Sequence, residues 1–580
     1  MPKMIELIKK QLIELRKGGC TMASNIYKIK KAVAYIKHYG PDKLAKKAIG
    51  KLIDKDGYSE HFSELVSDDE ELFFERGRNF KRKPLISVLV PVYNPPAAYF
   101  KEMLLSVINQ TYFNWQLCLV DAGTDKQRAV VDEVADGDER VCYVEIDNAG
   151  IAENTNAALA MAKGGYIALL DNDDTLSSDA LYRMVEMINR ENADCLYSDE
   201  DKMDGEGKKH FCPHVKPDFN PQLLRSNNYI CHLFVVRTEL AREVGGFSKA
   251  YDGAQDYDFI LKCTEKAEKI SHVNRVLYHW RTHESSTSAN PLSKLYAYEA
   301  GKKAIEAHLE RMGIAGRVSM LDDMGFYRVE YGDNNDGNYS EGGSSCDDAV
   351  DKGNSSSDGA VDRGNGSSRD DVIDKGNGSV DIEDSVSIDS KDGGNNKAAS
   401  VLVVATGVKD NDTAQKYFKY LRKNTDYENM QMCAMGEPDV ARLGQYTSDY
   451  FCILMCGIKP EKRDWLEMLV READVLEADA IAAKLLVKQA FPLCNKISRS
   501  FIVYSGDDYK DSFGRVHVNA GKPGWYKGNF NRNILQQNIK TLPKTAILVR
   551  HSELMRLLAD GWKAEEGKMC LYEPGVELYK

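Results

Sequence analysis

From Pro84 onward, short apolar runs alternate with stretches of helical periodicity, and that alternation limits the fold more than any other feature. Leu85–Val90, Trp115–Val120, Val141–Ile146 and Tyr166–Leu170 read as buried strands. Phe100, Met103, Leu104 and Val107 mark the inward face of a helix after the first strand, and another helix opens near Gly150. Alternating units at this spacing predict an α/β fold with a doubly wound, mostly parallel sheet. Such sheets bind ligands beyond the carboxyl ends of their strands. Three features fall at that edge: the rigid turn Pro91-Val92-Tyr93-Asn94, Asp121, and the run Asp171-Asn172-Asp173-Asp174.

The last of these crowds three carboxylates into four positions. A hard divalent cation, Mg²⁺ or Mn²⁺, held by oxygen at roughly 2.0–2.2 Å, would relieve their repulsion. Taken alone, the stretch reads equally well as an acidic turn leading into the next helix, with Ser178 and Asp179 where an N-cap belongs. A helix on Leu181, Met184, Val185 and Ile188 follows, then a short strand from Asp194 to Tyr197 and polar, turn-rich sequence from Ser198 to His214. Asn228–Val236 reads as a further buried strand, Gly245-Gly246-Phe247 as a turn, and Gln255-Asp256 opens a helix. His210, Cys212 and His214 alternate as a Zn²⁺ set on one strand face would, although chance spacing in a loop is the preferred reading.

At 580 residues the chain is too long for one core. We divide it into a basic helical segment (1–83), an α/β domain (84–332), a linker (333–399) and a second α/β domain (400–580). In the first segment, Ile5, Ile8, Leu12 and Leu15 form one apolar stripe and Ile26, Ile29, Val33 and Ile36 a second, with Lys28, Lys30, Lys31 and Lys37 around it. A segment of that kind lies on anionic lipid, docks on a partner, or, equally well, packs as a solvated helix against its own domain. The linker is dominated by Gly, Asn, Ser and Asp, repeats a short unit (Ala349–Asn354, Ala360–Asn365, Val372–Asn377), and is expected to be disordered. The net charge of −12 argues against a nucleic-acid partner. Thirteen cysteines without a C-x-x-C pair suit a reducing cytoplasm. No signal peptide is visible, and no apolar run approaches the ~18 residues that span a bilayer.

A sugar-nucleotide transferase needs a cation for the diphosphate, a shaped loop for the nucleoside, and a general base for the acceptor hydroxyl. Candidates for each occur in chain order: Pro91–Asn94 with Asp121, then Asp171 and Asp173, then Asp256, with His283 as a further cation ligand. The motifs concerned are Ile86–Asn94, Ser106–Tyr112, Leu169–Asp174, Tyr197–Lys202, Asn228–His232, Gly245–Phe247, Gln255–Asp258 and Tyr278–Arg281. In this order they resemble the inverting family 2 glycosyltransferases of GT-A fold. The resemblance implies that Asp171-Asn172-Asp173 is the D-x-D cation and nucleotide motif and that Asp256 is the catalytic base. It also implies that Pro91, Val92, Tyr93, Asp121 and Asn156 contact the nucleotide sugar, and that His283, in His-x-x-Ser-x-Ser, joins Asp171 and Asp173 on Mn²⁺ or Mg²⁺. Its further implications are a UDP- or dTDP-sugar donor, a glycan or lipid-linked acceptor, and hexosyl transfer in bacterial cell-surface polysaccharide synthesis. The setting implied is cytoplasmic, at the inner face of the membrane.

Two positions depart from the family pattern: Gln255 stands where Glu is common, and Ala122 where a second Asp is usual. Gln255 also suggests a rival, a non-catalytic scaffold that binds sugar nucleotide or glycan. A second rival is a phosphatase of the D-x-D-x-T type, from Asp171, Asp173 and Thr175. The second half resembles the same family faintly, through Ala480–Leu486 and Ala546–Arg550. Its Phe451–Gly457 stretch has no carboxylate where the acidic motif belongs, and the chain reaches Lys580 before a base motif. That half is expected to be degenerate and non-catalytic.

Overall fold

The computed structural model describes residues 58–62, 66–282, 295–321, 323–332, 398–408, 410–436, 438 and 440–488. Toward the C-terminus it describes 500–504, 509–510, 516–517, 537–538, 546–560 and 570–579. The two apolar stripes of the N-terminal segment, His283 and almost all of the expected linker lie outside the described residues.

The first half contributes β1 (Ile86–Val92), β2 (Trp115–Asp121), β3 (Val141–Glu145), β4 (Tyr166–Leu169) and β5 (Thr175–Leu176). After these come β6 (Cys195–Met203), β7 (His210–His214), β8 (Phe234–Arg237) and β9 (Ile270–Arg281). They form one sheet in the order β3-β2-β1-β4-β8-β6-β9-β5, with β7 beside β6. The portion β3-β2-β1-β4 is parallel, and the rest is mixed. Its core strands are apolar on both faces because helices cover both, and β2 is buried at all seven positions. The α/β expectation holds.

Sequence periodicity missed the extent of β6. The segment Ser198–Met203 reads as turn-rich because it carries Asp199, Glu200, Asp201 and Lys202, yet it is central strand. Its carboxylates are buried against His272, Lys216, His214, His210 and His279. Paired charges defeat a hydrophobicity pattern without defeating a strand. His210 and His214 go to different partners, Asp201 and Glu200, neighbours on β6. Asn228–Leu233 is likewise not strand; only Phe234–Arg237 joins the sheet.

The hairpin β10 (Gly316–Met320) and β11 (Tyr327–Tyr331) closes the first half. The second half contains β12 (Val401–Thr406), β13 (Met430–Met435), β14 (Tyr450–Met455), β15 (Lys459–Pro460), β16 (Ala480–Lys488) and β17 (Ser500–Tyr504). The two-residue strands β18 (Tyr509–Lys510), β19 (Val516–His517) and β20 (Gln537–Asn538) precede β21 (Ile547–Arg550) and β22 (Cys570–Tyr579).

The second large sheet runs β13-β12-β14-β21-β16-β22-β15, with β17 beside β16. It repeats the first sheet place for place: β13 for β2, β12 for β1, β14 for β4, β21 for β8, β16 for β6, β22 for β9 and β15 for β5. Each neighbour pair also keeps its direction, from parallel β12–β14 through antiparallel β14–β21 and β21–β16 to parallel β16–β22 and antiparallel β22–β15. Two pieces differ. Between β4 and β5 lie Leu170–Asp174, whereas only Cys456-Gly457-Ile458 separate β14 from β15. Between β8 and β9 the first half holds the helices Thr238–Glu243 and Gln255–Lys266, whereas between β21 and β22 the described residues hold the helix His551–Asp560. Among the described residues the second half reaches the counterpart of β9 without a counterpart of the helix Gln255–Lys266.

Candidate active site

The loops after β1, β2 and β4 interlock at the carboxyl edge of the first sheet, where the sequence places Tyr93, Asp121 and Asp171. Asn172 Nδ2 donates to the Pro91 carbonyl at 3.1 Å, and Asn94 Oδ1 accepts from the Asp125 amide at 2.9 Å. Gly123 permits the approach, since a Cβ there would stand 2.5 Å from Asn94 Oδ1 and 2.9 Å from the Asn94 nitrogen. Val92 is fully buried and Tyr93 is exposed at the rim.

Asp121 is buried, and both its oxygens are engaged. Oδ1 accepts from the Gly123 amide at 2.9 Å; Oδ2 accepts from the Gln127 amide at 2.8 Å and the Tyr143 hydroxyl at 2.5 Å. It shapes the loop 122–127 from beneath. Asn156 is committed in a similar way, donating to the Phe247 carbonyl at 2.8 Å and accepting from the Phe247 amide at 2.9 Å. The turn it holds needs Gly246, whose φ is +64° and whose Cβ position lies 2.6 Å from Asn156 Oδ1.

The three carboxylates of the acidic run do not act as one group. Asp171 is half exposed and Asp173 partly buried, whereas Asp174 turns inward. Asp174 accepts from the Tyr278 hydroxyl at 2.6 Å and the Arg281 amide at 2.8 Å, tying the loop to β9. Burial, with Asp171 and Asp173 nearby, raises its carboxyl well above the usual range. One member of the acidic run is thus buried as an anchor, while Asp171 and Asp173 stay nearer the surface. Asp174→Ala strands the Tyr278 hydroxyl and the Arg281 amide, and a loss of about 1–3 kcal/mol is expected in urea unfolding.

Asp256 lies in the first turn of the helix Gln255–Lys266, and its neighbours come from the segment before β8. Its Oδ2 accepts from Asn228 Nδ2 at 3.1 Å and from the Cys231 thiol at 3.6 Å. Burial raises its carboxyl above the usual range, with His232 opposing the shift. His232 is the bridge: it is buried, its Nε2 stands 3.8 Å from Asp171 Oδ2, and a ligand nitrogen of its ring lies within 4.8 Å of Cys231 and Asp256 ligand atoms. The ring stacks on Tyr278 at 4.5 Å and 11°. The helix itself is fixed from outside, where Glu265 accepts from Arg311 Nε at 2.8 Å and lies 2.7 Å from His308 Nδ1. Gln255 Oε1 accepts from the Gly253 amide at 2.9 Å, so this departure from the family pattern braces the loop before Asp256.

Beneath the bridge sits a buried ion pair the sequence did not single out. Lys216 Nζ is 3.2 Å from Glu200 Oε2 and donates to the carbonyls of Ile230, at 2.6 Å, and His232. His214 Nδ1 lies 3.1 Å from Glu200 Oε1. Burial opposes the Glu200 charge, but Lys216 and His214 outweigh it and hold the carboxyl down at about 2. The pair thereby seats the loop that carries Asn228, Cys231 and His232 to Asp256.

Comparison with known proteins gives this edge a family. Residues 87–234 match the model described as "Glycosyl transferase family 2". The protein y4gI of Sinorhizobium fredii is 45% identical over 240 residues, 40% of this chain and 26% of that protein. The O-antigen biosynthesis protein RfbC of Myxococcus xanthus is 35% identical over 254 residues, 43% of this chain and 20% of its own length. The hyaluronan synthase of Pasteurella multocida is 30% identical over 216 residues, 37% of this chain and 22% of its own length. The chain therefore spans about a quarter or less of the length of these relatives. Residues 87–234 are a domain of glycosyl transferase family 2.

Proposed function

We propose that the first α/β unit transfers a sugar, with inversion, from a nucleoside-diphosphate sugar to a hydroxyl of a glycan or lipid-linked acceptor in cell-surface polysaccharide synthesis. The observation that carries this reading is the convergence of Asp256 and Asp171 on one buried imidazole, His232, at the carboxyl edge of a family 2 sheet. Asp256 takes the acceptor proton, and its burial makes it a stronger base than an exposed carboxylate. The nucleoside lies across the interlocked loops at Tyr93 and above Asp121.

Asp171 and Asp173 form an all-oxygen pair suited to a hard divalent cation, Mn²⁺ or Mg²⁺. When bound there, such an ion neutralises the charge that grows on the departing diphosphate. Asp173→Ala is accordingly expected to abolish cation-dependent donor binding, read by calorimetry with and without chelator. Unchanged binding in chelator would contradict the cation assignment. Incubating the protein with a panel of sugar nucleotides and Mn²⁺, and detecting released nucleoside diphosphate together with glycosylated acceptor, tests the activity as a whole.

Among the described residues the second sheet shows neither the acidic loop nor a counterpart of the helix Gln255–Lys266, so its role in this reading is acceptor binding or support of the first. Its helix Trp465–Val475 packs on β11, and β20 packs on the helix Pro221–Ser226. Sugar transfer by residues 400–580 alone would overturn that assignment. A setting at the inner face of the cytoplasmic membrane is part of the same proposal. Among the described residues no helix is long and apolar enough to cross a membrane.

A further inference from the structure

We propose that Cys231, His232 and Asp256 form a binding site for a thiophilic divalent cation of the Zn²⁺ kind, different in chemistry from the carboxylate pair after β4. Ligand atoms of the three residues all lie within 4.8 Å of one another. Cys231 Sγ and Asp256 Oδ2 are 3.6 Å apart. Two ligands on a tetrahedral Zn²⁺, with bonds of about 2.3 Å to sulfur and about 2.0–2.2 Å to oxygen, stand about 3.5 Å apart. The thiol–carboxylate contact already has the width that an ion between them would need.

The imidazole supplies a second, independent observation. His232 Nδ1 is buried and has no hydrogen-bond partner, although buried polar atoms are almost always paired. Stacking on Tyr278 fixes the ring, and burial keeps it in the neutral form that ligates metals. Cys231 adds a backbone argument. Its φ of +33° lies in the left-handed region, where glycine sits at lower cost, yet the position carries a side chain whose sulfur reaches Asp256.

Thiolate, imidazole and one carboxylate form a softer donor set than the oxygens of Asp171 and Asp173, so the two sites sort cations by kind. Three protein ligands leave a fourth position for water, as open Zn²⁺ sites do. Binding displaces the Cys231 thiol proton to solvent, and both lone-pair donors stay otherwise unchanged. On the reading of Asp256 as the base, an ion held here occupies that carboxylate and stops transfer, so Zn²⁺ inhibits where Mn²⁺ supports.

The site is tested on the full chain without turnover, with Co²⁺ as the spectroscopic probe and Zn²⁺ in competition with a chromophoric chelator. The expected result is a thiolate-to-cobalt charge-transfer band that Zn²⁺ abolishes. Cys231→Ser should remove the band and weaken Zn²⁺ binding by at least about tenfold, as loss of a ligand must exceed loss of an outer partner. His232→Asn, a second variant that keeps the thiol, should weaken Zn²⁺ comparably. No band in the parent protein, a band surviving in Cys231→Ser, or unchanged Zn²⁺ affinity in both variants would overturn the site. An intact band with transfer insensitive to Zn²⁺ would instead overturn Asp256 as the base, so the two failures are distinguishable.

Discussion

Asp256→Asn is expected to lower transfer by on the order of 10²–10⁴-fold, the usual worth of a positioned general base, while donor affinity stays unchanged. The substitution is nearly isosteric, so Asn228 and Cys231 keep a partner and the helix keeps its first turn. What is removed is a carboxylate that lies beside His232, and with it a proton acceptor made more basic by burial. A pH profile sharpens the test. In the parent protein activity should fall as pH drops through the raised Asp256 range, because the protonated carboxyl cannot accept a proton. That limb should vanish from the residual activity of the variant. Near-parental turnover of Asp256→Asn, with released nucleoside diphosphate and glycosylated product both measured, would remove Asp256 from its role.

How far the sequence foretold this site depends on what holds each residue. The sheet edge was readable because β1, β2 and β4 are apolar on both faces and stop at turn residues, and periodicity reports that directly. The second sheet was readable only in pieces, since its identity lies in strand order and direction, which no local pattern encodes. Pairing such as β14 with β21 joins segments far apart in the chain. The acidic run was seen as one cluster because spacing cannot show which carboxylate turns inward. Tyr278 and Arg281, about a hundred positions later, decide that for Asp174. Cys231 and His232 fall in a motif that reveals no role for them, because their contact with Asp256 crosses from one loop to a helix start. The signal that points to Glu200 is the run of charges in Ser198–Lys202. Loops and central strands with internal ion pairs look alike in such a run, and the balancing Lys216 lies on a different segment.

That pair carries the second large effect. Lys216→Met should destabilise the protein by about 3–5 kcal/mol, because it leaves Glu200 charged and buried without its cation. It also frees the carbonyls of Ile230 and His232, so the loop that reaches Asp256 loses its seat. The pH dependence separates this cause from a packing defect. In the parent protein the Glu200 carboxyl is held at about 2, below its ordinary value of 4.5. Its contribution to stability is therefore complete above about pH 4.5 and is lost as pH falls toward 2. Without Lys216 the buried carboxyl is pushed upward instead, the folded state binds the proton more tightly than the unfolded chain, and the deficit shrinks as pH falls from 7 toward 5. Urea unfolding at those two pH values should thus show the gap between variant and parent narrowing on acidification. Adding Glu200→Gln to Lys216→Met should recover a large part of the loss at pH 7 by removing the stranded charge. A pH-independent deficit that the double variant fails to relieve would show that Lys216 acts by filling space and not by holding Glu200.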